Sequence, residues 1–340
     1  MNDQEPRGND GASQAFFGHN LRMPNAIVCR QLYKQYPGKP PVDAVNGLDL
    51  SVGAGECFGL LGPNGAGKTT TIEILEGLLE ATRGDVEILG NKWGEADDEI
   101  RQQIGISLQE TKLSEKLTVL ETLTLFRSFY RQGIPAEDAV GRVSLEEKLE
   151  ARVGKLSGGQ KQRLAVACAL IGDPKLLFMD EPTTGLDPQS RRQLWDIIRS
   201  FKNLGRTVLL TTHYMDEAER LCDRVAVVDH GRVIAQGSPR ELISTLGGEH
   251  ILDFSLMNTN GDAALISSSL VDLPAVRSVR EEDGVYSLAV TEPHIALPAL
   301  LDRLRQTNRE LSNLTTRHAS LEDVFVTLTG RHLRESSPTS

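Results

Sequence analysis

The chain has no basic excess: its 340 residues carry 37 Lys and Arg against 47 Asp and Glu, a formal net charge of −10. That balance argues against a nucleic-acid coat, which would need a basic stripe to match the phosphates, so no nucleic-acid partner is expected. Long apolar runs are also missing, and none approaches the roughly 18 residues that a membrane helix requires. The first twenty residues lack both a basic start and an apolar stretch, so no secretion signal is expected. Cysteines are few and scattered. Cys29, Cys57, Cys168 and Cys222 form no CxxC or Cys/His pattern and are expected to be reduced core residues.

What is present describes a soluble, globular chain, 39% hydrophobic and 25% charged, long enough for two domains. Residues 1–24 are rich in Asn, Asp, Gln and Gly without apolar periodicity and are expected to be a disordered tail, as is 331–340. From Ala26 to Gly237 short apolar runs alternate with helical stretches, which predicts an α/β domain over 25–237 built around a largely parallel sheet. "ECFGLLG", "GISL", "KLLFMD" and "RTVLLTT" read as strands, "KTTTIEILEGLL" as a helix, and "RVAVVDHGRVIAQG" as a hairpin turning at His230-Gly231. A capping box at Thr118 and Glu121 and the pair Asp187-Pro188 mark two further helix starts. Residues 238–249 read as a helix-containing linker. Beyond it, 250–330 follows the order strand, helix, strand, strand, helix, strand of a small α+β, ferredoxin-like domain, closed by a short helix in "SLEDVFVTLTG".

"GPNGAGKTT" satisfies G-x-x-x-x-G-K-[ST] between a strand and a helix. Gly62, Pro63, Asn64, Gly65, Ala66 and Gly67 allow the backbone to curl so that its N–H groups surround a phosphate, and the helix dipole adds to the attraction. Lys68 is then expected on the β/γ oxygens of ATP, Thr69 on Mg²⁺, and Thr70 at the α-phosphate. "LLFMDEPT" runs into Asp180, placed to hold Mg²⁺ through water, and Glu181, placed to polarise the attacking water as general base. His213 and Gln109, each just past a strand, belong on the same sheet edge, where His213 would donate to the γ-phosphate and Gln109 would contact Mg²⁺ or the water. Tyr36 offers a ring for adenine, with Tyr33 as its competitor.

A second glycine pair, in "LSGGQKQR", supplies the Ser157 hydroxyl, unhindered amides at Gly158 and Gly159, Gln160, and a helix N-terminus. Together with the phosphate loop, "LQE", "LLFMDEPTTGLD" and "THYMDEAE", in that family's order and spacing, it makes the chain resemble the ATP-binding cassette (ABC) ATPases over nearly all of Ala26 to Gly237. The C-terminal phrase is similar to that of ATPase subunits of daunorubicin-resistance-type exporters. The resemblance implies an ABC fold with a helical signature subdomain. It implies Glu181 as catalytic carboxylate, His213 as switch histidine and Asp187 in a loop between two sites. It also implies a head-to-tail dimer, homomeric or heteromeric, in which Ser157 to Gln160 act on the partner's ATP. The subunit would lie at the cytoplasmic face of the cell membrane, held there by an integral permease that a groove near Gln109 and Ser114 to Tyr130 would engage. A soluble ABC ATPase of translation or DNA maintenance is the alternative. The departures, Cys168 for an arginine and Met179 for leucine or isoleucine, remove no phosphate or metal contact.

Overall fold

The computed structural model describes residues 25–109, 111–257 and 268–330. In chain order these form β1 (Asn25–Tyr36), β2 (Val42–Gly53), β3 (Cys57–Leu61), α1 (Lys68–Leu75), β4 (Arg83–Ile88), α2 (Asp97–Arg101), β5 (Ile104–Ser107), α3 (Val119–Arg127), α4 (Ala136–Arg142) and α5 (Gly158–Leu170). There follow β6 (Leu176–Asp180), α6 (Pro188–Asn203), β7 (Thr207–Thr212), α7 (Met215–Leu221), β8 (Arg224–Asp229), β9 (Arg232–Gly237) and α8 (Pro239–Ser244). The C-terminal part contains β10 (His250–Leu256), β11 (Val276–Glu282), β12 (Val285–Val290), α9 (Pro293–Gln306), β13 (Leu311–His318) and α10 (Leu321–Thr329).

Continuous apolar runs build the central sheet, ordered β5-β6-β7-β3-β8-β9 and parallel except for the β8/β9 hairpin. β3, β6 and β7 are buried at every residue, as strands covered on both faces must be. One face packs against α5, α6 and the signature-side helices, the other against α1 and a three-stranded antiparallel sheet ordered β2-β1-β4. That antiparallel sheet is not legible as a separate layer in the periodicity, because β1 and β2 mix apolar and polar positions through several register shifts.

The phosphate-loop helix is shorter than its apolar pattern suggests. It ends at Leu75 with Glu76 as C-cap, because Gly77 takes a left-handed φ of 72° and packs where a Cβ would lie 2.7 Å from the Trp93 ring. The β8/β9 turn places His230 and Gly231 at φ 47° and 72°, the paired positive angles of a tight hairpin. Its tip braces the phosphate loop: the Gly231 N–H donates to the Ala66 carbonyl at 2.9 Å.

The C-terminal sheet is antiparallel and ordered β11-β12-β10-β13. Most of the helix expected between β10 and β11 falls on 258–267, outside the described residues, as do the expected tails 1–24 and 331–340. Within 238–249, Ser238 caps α8 with Glu241 closing the box. Helix α10 leaves the C-terminal sheet and packs elsewhere: Leu321, Val324 and Phe325 join the core of α5, α6 and α7, while the sheet has its own core around Leu252, Phe254, Tyr286 and Leu288. The Leu321 N–H donates to Glu219 Oε1 at 2.7 Å, tying α10 to α7.

Candidate active site

The phosphate loop leaves β3 at Leu61 and enters α1 at Lys68. Its outer glycines are fixed by close approach: a Cβ at Gly62 would lie 2.2 Å from the Val228 carbonyl oxygen, and one at Gly67, where φ is 97°, 2.2 Å from that of Ala44. No side chain caps α1, so its first amides remain for a ligand. Lys68 is buried; its Nζ donates to the carbonyls of Gly62 at 2.8 Å and Pro63 at 3.1 Å and pairs with Glu181 Oε1 at 3.4 Å. Burial lowers the ammonium's pKa, and the neighbouring Glu181 and Asp180 oppose that shift.

The parallel order brings the ends of β6 and β7 beside this loop. Asp180 is the last residue of β6, and its Oδ1 accepts from the Thr211 hydroxyl and, at 3.4 Å, from the Thr69 hydroxyl. Burial pushes its carboxyl above the usual range, while those two hydroxyls hold it down. Glu181 follows at a left-handed φ of 44°, a conformation that costs a non-glycine residue on the order of 1 kcal/mol or more. Its N–H donates to Thr211 Oγ1 at 2.9 Å. Its carboxylate meets Lys68 on one oxygen, and on the other His213 Nδ1 and the Thr184 hydroxyl, both at 3.2 Å. The His213 contact, followed by the Lys68 charge, overcomes burial and brings the Glu181 carboxyl down to about 2.

These groups surround a cleft of about 760 Å³, whose lining includes Tyr36, Asn64, Gly65, Gly67, Lys68, Thr69, Thr70, Gln109, Glu181 and His213. Gly62, Pro63, Ala66 and Asp180 do not line it; through the contacts above they support the residues that do. Tyr33, the alternative for adenine, is turned to other work. The Arg83 guanidinium covers its ring at 3.6 Å and its hydroxyl occupies the space beside Gly47. Sequence reasoning passed over Thr184, which lines the cleft, and Thr211, which joins Asp180 to Glu181. Thr211 carried a signal, a hydroxyl in an otherwise apolar strand.

The structure does not bring Ser157, Gly158, Gly159, Gln160 or Asp187 to this cleft. Ser157 caps α5, accepting from the Gln160 N–H at 3.3 Å while Gln160 Oε1 accepts from the Ser157 N–H at 2.9 Å. Ser157 and Gly158 are exposed, and no atom would meet a Cβ at Gly158. Gly159 is pressed against Ser190 of α6. Asp187 caps α6 through the N–H groups of Gln189 and Ser190, and the Ser190 hydroxyl donates to it at 2.6 Å; these bonds lower its pKa.

A cassette with this loop, carboxylate pair and histidine has known counterparts. The family model described as ABC transporter matches residues 45–184. The Nod factor export ATP-binding protein I of Rhizobium sp. (strain N33) is 41% identical over 298 residues, covering 86% of this chain and 93% of that protein. The chain belongs to the ABC transporter family. The daunorubicin/doxorubicin resistance ATP-binding protein of Streptomyces peucetius is 39% identical over 320 residues, covering 92% of this chain and 94% of that one. Among solved structures, an ATP-binding subunit of an ABC transporter superposes with a TM-score of 0.59 at 31% identity, covering 65% of this chain and 93% of that one. A dimeric ABC cassette in a post-hydrolysis state, bound to ADP and Pi, gives 0.57 at 28%, covering 62% of this chain and 98% of that one. The chain is thus an ABC ATPase, an enzyme that binds and hydrolyses ATP. Among the described residues no helix is long and apolar enough to cross a membrane.

Proposed function

We propose that this ABC ATPase powers export of a substrate through a separate membrane permease, by ATP-driven closure of a head-to-tail dimer. The observation that carries this reading is the division of the chemistry within one chain. Lys68, Glu181 and His213 share a cleft, whereas the exposed Ser157 and Gly158 stand outside it, with open space around Gly158. A γ-phosphate seated on the first loop needs donors against the charge that develops in transfer, and a second subunit's signature helix supplies them. Here Ser157, Gly158, Gly159 and Gln160 act in trans, with Asp187 beside them at the start of α6.

Within the cleft, Lys68 and the loop amides neutralise and orient the phosphates, Tyr36 stacks on adenine, and Glu181 orients the attacking water and takes its proton as that water attacks. His213 holds Glu181 and donates to the γ-phosphate. Mg²⁺ fits the oxygen donors Thr69 and Asp180, with Gln109 as an additional ligand; so sparse a set suits an ion that keeps waters and takes phosphate oxygens. Bound there, Mg²⁺ would offset charge on the β- and γ-oxygens.

Two relatives named for Nod factor export and drug resistance support the exporter role. Leu125 and Phe129 on the α3 side are exposed at 46% and 63%, an apolar patch suited to a permease segment on the cytoplasmic side. We assign 25–237 to the ATPase domain, 238–249 to a linker and 250–330 to the accessory domain, with the exception by packing of α10.

Mixing Lys68→Ala protein with Ser157→Arg protein, each inactive alone, tests the trans arrangement, since one composite site of the heterodimer is intact. ATPase activity should return; its absence from a confirmed heterodimer, with the wild-type/Lys68→Ala heterodimer active as control, would refute the arrangement. Glu181→Gln should bind ATP, turn over very slowly and accumulate as a dimer. Leu125→Asp with Phe129→Asp should abolish co-purification with the permease from solubilised membranes while soluble ATPase activity persists.

A further inference from the structure

Helix α7 follows directly on His213 and carries Glu217, a carboxylate with no part in the chemistry above. It is 0% exposed, as is Thr183, and Thr212 is 1% exposed. Glu217 Oε1 accepts from Trp195 Nε1 of α6 at 3.0 Å. The hydroxyls of Thr212 and Thr183 stand beside the carboxylate, and Arg191 lies near enough to act on its charge. Thr212 is next to His213 in the chain, and Thr183 is two residues after Glu181. One buried carboxylate therefore lies beside side chains from both segments that carry Glu181 and His213.

The network is incomplete in a specific way. Glu217 Oε2 and Thr183 Oγ1 are both buried and close to one another, but they do not meet in good hydrogen-bond geometry. A buried carboxylate oxygen and a buried hydroxyl left open side by side are costly, and a small shift of the 181–184 segment would pair them. The segment has cause to shift, because Lys68 now holds Glu181, and phosphates entering the cleft compete for that ammonium. A second link runs outward: the Arg191 guanidinium covers the Tyr214 ring at 4.4 Å, and that ring lies 4.1 Å from the His213 ring.

We propose that Glu217 is a positioning residue for ATP hydrolysis: anchored to α6 through Trp195, it receives the Thr183 hydroxyl when nucleotide draws on Lys68, and so fixes Glu181 relative to His213. This rests on the roles assigned to Glu181 and His213. Glu217 touches no reacting atom. Its loss therefore slows the chemical step and leaves nucleotide binding, which belongs to the phosphate loop, nearly intact.

The experiment compares Glu217→Leu, Glu217→Gln and Thr183→Val in the full chain, measuring kcat, KM for ATP, directly measured ATP affinity and melting temperature. Glu217→Leu should lower kcat about tenfold or more with KM and ATP affinity within about threefold. Glu217→Gln, which keeps an acceptor for Trp195 and a polar group for Thr183, should recover most of that loss. Thr183→Val, nearly isosteric, should reproduce the fall in kcat with its melting temperature unchanged, and it decides the matter if Glu217→Leu does not fold. A Thr183→Val protein with kcat within about twofold of the parent overturns the proposal, as does a Glu217→Gln protein no better than Glu217→Leu. Glu181→Gln serves as the control: parental turnover there would refute the site assignment, whereas its collapse beside an unaffected Thr183→Val refutes the positioning role alone.

Discussion

Lys68 Nζ and Glu181 Oε1 form a buried ion pair at 3.4 Å, so the cation of the phosphate loop and the carboxylate assigned to water activation hold each other across the cleft. The strain at Glu181, with φ at 44°, is maintained by this pair together with His213, Thr184 and Thr211. An entering phosphate would exchange one anionic partner of Lys68 for another and leave the carboxylate to His213 and Thr184.

Replacing Lys68 by Met should weaken ATP binding by roughly ten- to a hundredfold, the worth of a hydrogen bond to a charged group. Equilibrium binding of ATP measures this directly. Affinity within about threefold of the parent would show that the loop amides carry the phosphate without the ammonium.

Glu76, at the C-cap of α1, is buried with both carboxylate oxygens unpartnered, and burial aided by Asp180 and Glu73 pushes its carboxyl up to about 8. Its ordinary value is 4.5. Because the folded-state value is the higher one, its contribution to stability is fully present below pH 4.5 and is lost as the pH rises through about 8. Glu76→Gln should therefore melt above the parent by roughly 2–4 °C per kcal/mol regained at about pH 8, with the difference shrinking toward pH 5. A parallel offset at all pH values would mean that the carboxyl does not titrate in this range.

Gly159→Ala tests the contact between the signature helix and α6. Its new methyl would lie 2.3 Å from Ser190 Oγ, whose hydroxyl also serves Asp187. Overpacking of this kind costs about 1–3 kcal/mol, and Gly158→Ala, in open space, serves as the comparison. Thermal unfolding should separate the two variants, and equal melting temperatures would sink the close-approach argument.

Arg317 clamps the base of α10. It donates to both oxygens of Asp323, at 2.7 and 2.8 Å, and through Nε to Asp253 at 2.7 Å; these contacts raise the guanidinium's pKa, and Asp323 is held below its usual range despite the opposing effect of burial. Arg317→Ala should lower stability by about 1–3 kcal/mol by leaving Asp323 partly unpaired. Since α10 packs into the ATPase core, the main calorimetric transition should move with it. If only a separate minor transition moved, α10 would not be part of that core.

Much of this site was written locally. The phosphate loop, the Asp180-Glu181 pair, the caps at Thr118, Ser157 and Asp187, and the turn at His230-Gly231 each depend on a few adjacent residues whose stereochemistry permits little else. The parallel sheet followed from the same logic, since fully apolar runs of five or six residues suit strands covered on both faces. What periodicity concealed was the β2-β1-β4 layer, broken by register shifts, and the destination of α10, which its sequence neighbours assign to the C-terminal sheet.

The sequence by itself determined where the glycine loop, its lysine and the strand-end carboxylates fall, because spacing, glycine freedom and strand-end placement are local properties. Only the tertiary structure decided that Tyr36 lines the cleft while Tyr33 lies under Arg83, that Thr184 and Thr211 hold the two carboxylates, and that Ser157 to Gln160 stand outside the cleft of their own chain. Those outcomes depend on which strands lie side by side and which faces they bury, and such contacts join residues far apart in the chain.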